Sequence, residues 1–483
     1  MTKRITLIFL GVILLSLTGC QTVKDARKAQ KEDGRLPGES TKTAAESGLR
    51  YHKKWTAKAK LDEKTKAAKL AAEKELSEPK PMDLQELEKI ALKCNPGVLQ
   101  ASEDVKLAEI DVQLAKANYL PVLGSSLGYK RETANYDRHN QRSNTTGEYS
   151  MGLDFNLLIY DFGKTDAKVK LAQNILEAKK QSLRLAKNTV VYQVRLSFFA
   201  LKRAIELDLV AQMSEKQYKE HLDQMLMRYK VGSGTKYSCT KAEVDWNNSV
   251  LIAITTQNNI MVAYANLNKA LGLAEHVEYD INAGEMPKLK LDSDFLMTIA
   301  REKDPVYLAN KMMAKAASNL VDQYIAELYP DFSLNLGGTL TNDAPGIPLL
   351  WNFFGLGSLT QNVFNGGRNM LAIQAAVASL RIARSQMAAR EQTVYRDLRE
   401  ATLNAIRSQK QLDVAIMAEK QAQENLDIVT EQFNVGRASS IERTDAQVAH
   451  SQSKAFVVSA KYDYQDSLAK LYFVMGINAA YGE

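Results

Sequence analysis

One sequence pattern has residue types and spacing that point to a defined chemical modification, and it lies at the N-terminus. Two basic residues precede an apolar run over 5–17, which leads into Leu17-Thr18-Gly19-Cys20. This pattern predicts a signal peptide over residues 1–19 that ends in a bacterial lipobox, where the cysteine is acylated and becomes the mature N-terminus. The alternative is an ordinary signal peptide or a membrane anchor, but the apolar run is too short to span a bilayer. Gln21 is not the aspartate that usually favours inner-membrane retention, so we expect an outer-membrane lipoprotein anchored at Cys20.

The other residues with catalytic or ligating potential form no constellation that predicts chemistry. The chain has no phosphate-binding loop and no glycine-rich strand-to-helix turn of the nucleotide-binding type. The net charge of +7 is spread over 483 residues without a basic patch interleaved with aromatic residues, which argues against nucleic acid as a partner. We therefore predict neither an enzyme nor a metal or cofactor site. The histidines share no ligand spacing; they are His52, His139, His221, His276 and His450.

The element that dominates the chain is one long stretch used twice. Lys164–Val231 and Arg368–Val435 are each 68 residues long, contain neither glycine nor proline, and are closed by Gly232 and Gly436. Residues that favour helices dominate both stretches, so each predicts one helix of roughly 100 Å. Another matched glycine follows forty positions after each closing glycine. A register held over that length marks two copies of one structural unit.

The sequence of each copy also predicts two shorter helices, one before and one after the long helix, and a connector joins the two copies. A helix over about 84–119, broken at Asn95-Pro96, precedes the long helix of the first copy, and a return helix over 236–271 follows it. Stacked end to end, these two would lie alongside the long helix. We assign repeat 1 to 83–272, a connector to 273–303, repeat 2 to 304–476 with its return helix at 440–475, and a tail to 477–483. Residues 20–82 predict an extended arm with a plausible helix around Trp55–Leu76.

A change of period between the short and long helices predicts one strand pair per copy. Over 122–158 the period changes from 3.6 to 2, and the same change follows Tyr329-Pro330 in the second copy. Alternation of apolar and polar residues predicts strands with one face of each kind. We assign hairpins to 121–158 and 331–362, with strands of about ten residues, a length that suits a membrane-spanning strand.

The strand count of one chain has a consequence for assembly. Four strands cannot close a barrel, and an open sheet edge cannot sit in lipid, because its backbone groups would have no hydrogen-bond partners there. Several chains must therefore pool their strands. Three chains give twelve strands with room for a lumen, whereas two give eight, whose interior would fill with side chains.

Ten short motifs follow one another in the same order in the two copies. They are Asn95-Pro96, Leu120-Pro121, Tyr160 to Gly163, Val231-Gly232 and Leu271-Gly272, then Asp304-Pro305, Tyr329-Pro330, Phe364 to Gly367, Val435-Gly436 and Met475-Gly476. Their order and spacing resemble the TolC family of outer-membrane factors. The resemblance covers about 83–476 and implies a two-repeat, mainly α fold with a membrane β-barrel: a homotrimer with a twelve-stranded barrel in the outer membrane, continued by a long α-helical barrel in the periplasm. It also implies an exit duct of a tripartite efflux pump or a type I secretion system, partnered by a periplasmic adaptor protein and an inner-membrane transporter. The alternative is a lipid-anchored coiled-coil tether without a conduit, which would not need the strand pairs.

The resemblance also implies where partners and the gate lie. Adaptor contact is expected at the two glycine turns, through Val231, Gly232, Thr235, Val435, Gly436 and Ser439. Glu442 and Asp445 are three residues apart and share a helix face. In a trimer they would form a ring of carboxylates at the periplasmic mouth, which would favour cations and raise some of the pKa values. An ordinary solvated acidic face is the alternative.

Two cysteines besides Cys20 could pair in an oxidising compartment. In the stacked arrangement Cys94 lies near the middle of the helical region and Cys239 near its free end, about 45 Å apart. A disulfide needs Cα atoms only about 4–7 Å apart. We therefore predict that they do not form a disulfide.

Overall fold

The computed structural model describes residues 82–135, 143–273, 279–281, 293–342 and 350–477. Residues 81–276 and 281–483 form one compact unit, and the unit made of 1–80 with 277–280 falls almost wholly outside the described residues. Cys20, the arm and the helix predicted around Trp55–Leu76 lie outside them. No helix in the described part of the chain is long and apolar enough to cross a membrane.

The predicted fold class is confirmed: two repeats of the same order of helices and strands account for the described chain. Each repeat has two short helices, a hairpin, a helix of 67 residues and a return helix. The first repeat contains α1 Leu84–Cys94, α2 Pro96–Ala117, β1 Val122–Asn135, β2 Ser143–Tyr160, α3 Lys164–Lys230 and α4 Lys236–Leu271. The second contains α5 Ser293–Lys303, α6 Pro305–Ala326, β3 Asp331–Asn342, β4 Leu350–Thr360, α7 Arg368–Asn434 and α8 Ser440–Val474.

The start of the second repeat differs from the sequence assignment. The segment 273–303 was expected to be a connector, but its last part is the helix α5. α1 and α5 are both 11 residues long, and each leads through one capping residue, Asn95 or Asp304, into a helix that begins with proline. By this correspondence the second repeat begins at Ser293 rather than at 304. The mixed polarity of 273–303 concealed a helix that packs against α7.

The four strands form one antiparallel sheet in the order β1-β2-β3-β4, so that β2 and β3 join the two repeats. The strands β1 to β4 contain 14, 18, 12 and 11 residues. The two strands of the first hairpin are therefore clearly longer than the expected length of about ten residues. Pairing continues beyond the alternating region as far as Asn135 opposite Ser143. β1 and β4 are the two edges, so the sheet is open in a single chain.

The register gives this sheet one apolar and one mainly polar face. Side chains alternate along each strand, and cross-strand partners share a face. The apolar face is largely exposed: Leu127 is 84% and Phe353 79% exposed. It comprises Leu123, Leu127, Tyr129, Tyr149, Met151, Leu153, Phe155, Leu334, Leu336, Leu340, Trp351 and Phe353.

Polar caps start the short helices where the sequence indicated. Asp83 and Glu86 form a capping box at the start of α1. At the next break the side chain of Asn95 accepts a hydrogen bond from the Gly97 N–H at 2.9 Å and donates one to the Ala270 carbonyl at 2.9 Å. One side chain thus caps α2 and holds the end of α4.

The matched glycines at the ends of α4 and α8 lie where helices meet end to end. Gly272 and Gly476 have φ values of 80° and 69°. A Cβ at Gly272 would lie 2.7 Å from Asn95 Cα, and one at Gly476 would lie 2.6 Å from the Lys303 carbonyl oxygen. Each return helix therefore stops against the break between the two short helices of its own repeat. Only glycine fits both the backbone angle and the close approach.

Ion pairs connect the long helix α3 to other elements of the described chain. Arg195 Nε donates to Glu88 Oε1 of α1 at 2.6 Å, and both side chains are buried. Burial raises the pKa of Glu88, and Arg195 opposes that rise. Farther along α3, Arg203 pairs with Asp466 of α8 at 2.8 Å. Because α8 belongs to the second repeat, this contact joins the two repeats below the sheet.

The two cysteines lie in different parts of the helical region. Both are buried, and neither Cys94 nor Cys239 is in a disulfide. Cys94 ends α1, beside the junction with Gly272. Cys239 lies in the first turn of α4 and packs against Met225 and Phe433 near the far ends of the long helices.

Replacing the junction glycines should destabilise the fold more than replacing an equally strained glycine in open space. Gly272→Ala and Gly476→Ala should each lose about 1–2 kcal/mol for the left-handed backbone and about 1–3 kcal/mol more for overpacking. Gly436→Ala is the matched control, since its φ is 76° and no atom lies within 4 Å of a Cβ there. Thermal unfolding of the detergent-solubilised variants measures the difference. Equal losses in all three would mean that the junctions can relax.

Candidate functional site: the paired hairpin tips

The two turns between the long and return helices have the same backbone construction. Val231 and Val435 end their helices with φ −89° and ψ near 5°. Gly232 and Gly436 follow in the left-handed region, with φ 75° and 76°. In the first turn the Ser233 N–H donates to the Arg228 carbonyl at 2.9 Å and the Gly232 N–H to the Tyr229 carbonyl at 3.0 Å. The second turn repeats both bonds, and this double closure is a Schellman motif.

Each turn then starts its return helix with a hydroxyl cap. The Thr235 side chain accepts from the Ser238 N–H, and the Ser439 side chain accepts from the Glu442 N–H, both at 3.2 Å. Val231 is 75% and Val435 71% exposed. All six residues predicted for adaptor contact therefore lie on two rigid five-residue turns, with the valine side chains in solvent.

Of the two residues in the predicted acidic pair, Glu442 takes part in capping its helix. Glu442 and Asp445 are both exposed on the first turns of α8. The carboxylate of Glu442 accepts from the Ser439 N–H at 2.6 Å, which completes a capping box. This backbone hydrogen bond lowers the pKa of Glu442, and the side-chain bond with Ser439 adds to the effect. In one protomer the pKa of Glu442 is thus lowered, whereas a ring of three copies is expected to raise some of the carboxylate pKa values. That rise stays a prediction for the trimer. At the matched positions the first repeat has Ser238 and Lys241.

A cluster that links the two hairpins lies just behind the tips, and the sequence did not indicate it. We define the tip cluster as His221 of α3, Phe433 of α7, Ser440 and Arg443 of α8, and Cys239 of α4. Ser440 Oγ lies 3.3 Å from His221 Nε2, and Arg443 Nη1 lies 3.3 Å from His221 Nδ1. Phe433 is 3% and His221 1% exposed. The ring of Phe433 packs against the first repeat although it belongs to the second.

Cations surround the aromatic ring and the histidine of the tip cluster. Arg228 lies 4.3 Å and Arg443 5.2 Å from the Phe433 ring centroid, on different helices. Arg443 Nη1 also donates to Gln224 Oε1 at 2.6 Å. Burial lowers the pKa of His221 to about 4; Arg443 and Arg228 also lower it, and Asp245 opposes them. His221 is therefore neutral near pH 7.

Sequence reasoning had grouped His221 with the scattered histidines because it shares no ligand spacing with another. In the described residues no group of three or more His, Cys, Asp or Glu side chains could hold a metal ion. The contact of His221 with Arg443 joins residues 222 positions apart. The only local signal was the matched aromatic residue, Tyr229 or Phe433, before each turn.

Comparison with known sequences identifies one family. The sequence model described as outer membrane efflux protein matches residues 87–273 and 296–477. Outer membrane protein TolC of Escherichia coli K12 is 26% identical over 201 residues, which cover 40% of this chain and 41% of TolC. Outer membrane efflux protein BepC of Brucella suis is 21% identical over 381 residues, which cover 77% of this chain and 80% of BepC. The match thus spans about two fifths of TolC.

Solved structures share the fold at low identity. A membrane protein from Pseudomonas aeruginosa has a TM-score of 0.73 at 19% identity, over 81% of this chain and 93% of the other. The CmeC outer membrane channel of Campylobacter jejuni has a TM-score of 0.72 at 17% identity, over 81% of this chain and 85% of CmeC. The second family match begins at 296, inside α5, in agreement with an early start of the second repeat.

Acid should loosen the tip cluster. The pKa of an unfolded histidine is near 6.5, while burial lowers the pKa of His221 in the folded protein to about 4. The stabilisation from neutral His221 is therefore complete above pH 6.5 and is lost as pH falls from 6.5 to 4. We expect Cys239, buried in this cluster, to react faster with 4,4′-dithiodipyridine over that range, relative to Cys94 in the same chain.

His221→Gln is the matched variant for this measurement, because it keeps a polar side chain that does not titrate. Its ratio of Cys239 to Cys94 reaction rates should be independent of pH between 6.5 and 4. An acid-dependent ratio that persists in His221→Gln would assign the loosening to another group.

Proposed function

The chain belongs to the outer membrane efflux protein family, and on that premise we propose that it forms the outer-membrane exit duct of a tripartite efflux pump or a type I secretion system. Members of this family are channels rather than enzymes. The observation that carries the proposal is the open, four-stranded sheet with one exposed apolar face. Such a face suits lipid, and a coiled-coil tether has no need of it.

Unpaired strand edges support a trimer. The backbone groups on the outer edges of β1 and β4 have no partner strand in one chain, and lipid offers none. When β4 of one copy pairs with β1 of the next, three copies close a barrel of twelve strands. The apolar face then contacts lipid and the polar face lines the lumen.

An aromatic cluster supports a membrane boundary at the ends of the strands nearest the helices. The ring centroids of Tyr160 and Phe162 are 4.8 Å apart, and those of Phe162 and Tyr329 are 5.7 Å apart. All three side chains are about half exposed. Aromatic residues are enriched where a membrane meets water. The helices beyond this level would lie in the periplasm, and acylation of Cys20 would add a lipid anchor at the same membrane.

The functional experiment combines a native mass measurement with a conductance measurement. We expect native mass measurement of the detergent-solubilised protein to give a trimer whose protomers carry acyl chains on Cys20, and we expect that trimer to form ion-conducting channels in planar bilayers. A stable monomer or dimer would contradict the architecture. A trimer that never conducts would favour the tether. Protomers whose mass shows no acyl chains would contradict the lipid anchor at Cys20 but not the duct.

The paired tips are the proposed docking surface for a periplasmic adaptor protein. Both turns expose a valine and a glycine on rigid backbone, and a side chain at either glycine would enter open space. Glycine permits another helix to approach closely. The inner-membrane transporter would complete the assembly without touching the strands.

Bulk at the tips should therefore block export without affecting assembly. Gly232→Trp and Gly436→Trp should retain the trimer but reduce export in cells at least about tenfold, the effect of losing about 1.4 kcal/mol of adaptor binding. Gly436→Ala is the control, because it has the same backbone strain without the bulk. Normal export by both tryptophan variants would mean that the turns only reverse the chain.

The acidic pair is the proposed selectivity element of the periplasmic mouth. Glutamine can replace glutamate in a capping box, so Glu442→Gln removes charge and keeps the cap. Because the Glu442 carboxylate is already bound to the Ser439 N–H, we expect Asp445→Asn to reduce cation selectivity and divalent-cation block more than Glu442→Gln does. Reversal potentials in planar bilayers measure both. Wild-type selectivity in the double variant would leave the two acids on an ordinary solvated face.

A further inference from the structure

The polar face of the sheet is built mostly from small side chains on its first three strands. Gly124, Ser126 and Gly128 of β1 lie on this face, opposite Asp154, Gly152 and Ser150 of β2. β3 continues it with Gly337, Thr339 and Thr341, which pair with those three residues of β2, and with Asn335, which pairs with Asn156.

β4 departs from this pattern because it is apolar on both faces. Trp351 and Phe353 lie on the apolar face, as expected for lipid contact. Phe354 and Leu356, however, lie on the opposite face with Asn352. Phe354 is 46% and Leu356 56% exposed, so neither is covered by its own chain.

The position of the Phe354 ring depends on one glycine. Gly337 pairs directly with Phe354, and a Cβ at Gly337 would collide with the ring atoms Cζ and Cε1. The ring therefore lies over the backbone of β3 rather than standing away from the sheet. The absence of a side chain at Gly337 makes this possible.

The same cross-strand row contains a carboxylate. Asp154 pairs with Gly337 on the other side, so Asp154, Gly337 and Phe354 are successive neighbours across three strands. With strands about 4.8 Å apart, the Cα atoms of Asp154 and Phe354 are about 10 Å apart. The ring over Gly337 occupies the space between them. Among the described residues, the Asp154 carboxylate has no ion-pair partner.

We propose that the Asp154–Gly337–Phe354 row is a contact site for amphiphilic organic cations passing through the duct. The proposal rests on the proposed function, which turns this face toward the lumen. An aromatic ring attracts a cation to its face and also packs against an apolar body. The carboxylate one strand beyond supplies the opposite charge. An anion of the same size gains the ring contact only and is repelled by Asp154.

Three copies would repeat this row around the lumen at one level. Each row is complete within one chain, because its residues lie on β2, β3 and β4. The row therefore does not depend on which side chains a neighbouring copy contributes. A cation in transit would find three equivalent sites.

The test uses the purified trimer in planar bilayers with benzyltrimethylammonium as the probe. We expect this cation to reduce the current reversibly, and to do so at lower concentration than tetramethylammonium, which lacks the ring, or benzenesulfonate, which reverses the charge. Phe354→Leu, which keeps apolar bulk, and Asp154→Asn should each weaken the block roughly fivefold. Phe353→Leu is the matched control, since Phe353 is the adjacent residue on the opposite face, and its ring would lie 3.3 Å from a Cβ at Gly338, with which it pairs.

The outcomes separate this proposal from the one on which it rests. A conducting wild-type trimer whose block is the same in Phe354→Leu and Asp154→Asn overturns the contact site and leaves the duct intact. An equal loss in Phe353→Leu also overturns it, because the effect would then come from the lipid face. A trimer without conductance overturns the duct and the site together.

Discussion

The unpaired backbone groups on the two edges of the sheet are the constraint on which the rest of the structure depends. A strand that faces lipid on one side must hydrogen-bond on both edges. Within one chain only β2 and β3 are paired on both edges, while β1 and β4 are each paired on one. In the proposed duct, the requirement for neighbouring copies follows from this, and with it the requirement for a rim of helices that can be continued around a ring. The helices meet that need because each strand joins one helix at this end of the sheet: β2 and β4 lead into the long helices, and β1 and β3 follow α2 and α6.

Joints between helices connect the helical part at matched places in the two repeats. The return helices stop against the breaks at Asn95 and Asp304, where Asn95 and Asp304 each cap a helix. Arg390 forms two hydrogen bonds with Asp304, at 2.9 and 3.0 Å, and so ties that break to α7. In the first repeat α4 and α2, with 36 and 22 residues, meet at such a joint and both pack along α3, which has 67 residues.

The parts of this fold that the sequence predicted are those with a local or periodic cause. Two glycine-free runs and the alternation near Tyr149 indicate helices and strands without reference to the rest of the chain. The connector helix α5 was missed because it has only 11 residues and lies in a segment of mixed polarity. The capping role of Glu442 could have been found, since Ser439 and Glu442 have the spacing of a capping box. The contact between His221 and Arg443 could not, because nothing local in either residue indicates a partner in the other repeat. The face taken by Phe354 was equally hidden, since apolar residues on both sides of β4 leave its register open.

The duplicated turns carry a consequence for symmetry. Their backbones share the Schellman closure and the hydroxyl cap, yet Lys241 stands where the second repeat has Asp445. Lys241 is itself held by Asp245, 3.4 Å away. In the proposed trimer, six hairpins of one shape would therefore carry two alternating charge patterns. A partner that recognises backbone shape would meet sixfold symmetry, whereas a partner that recognises charge would meet threefold symmetry.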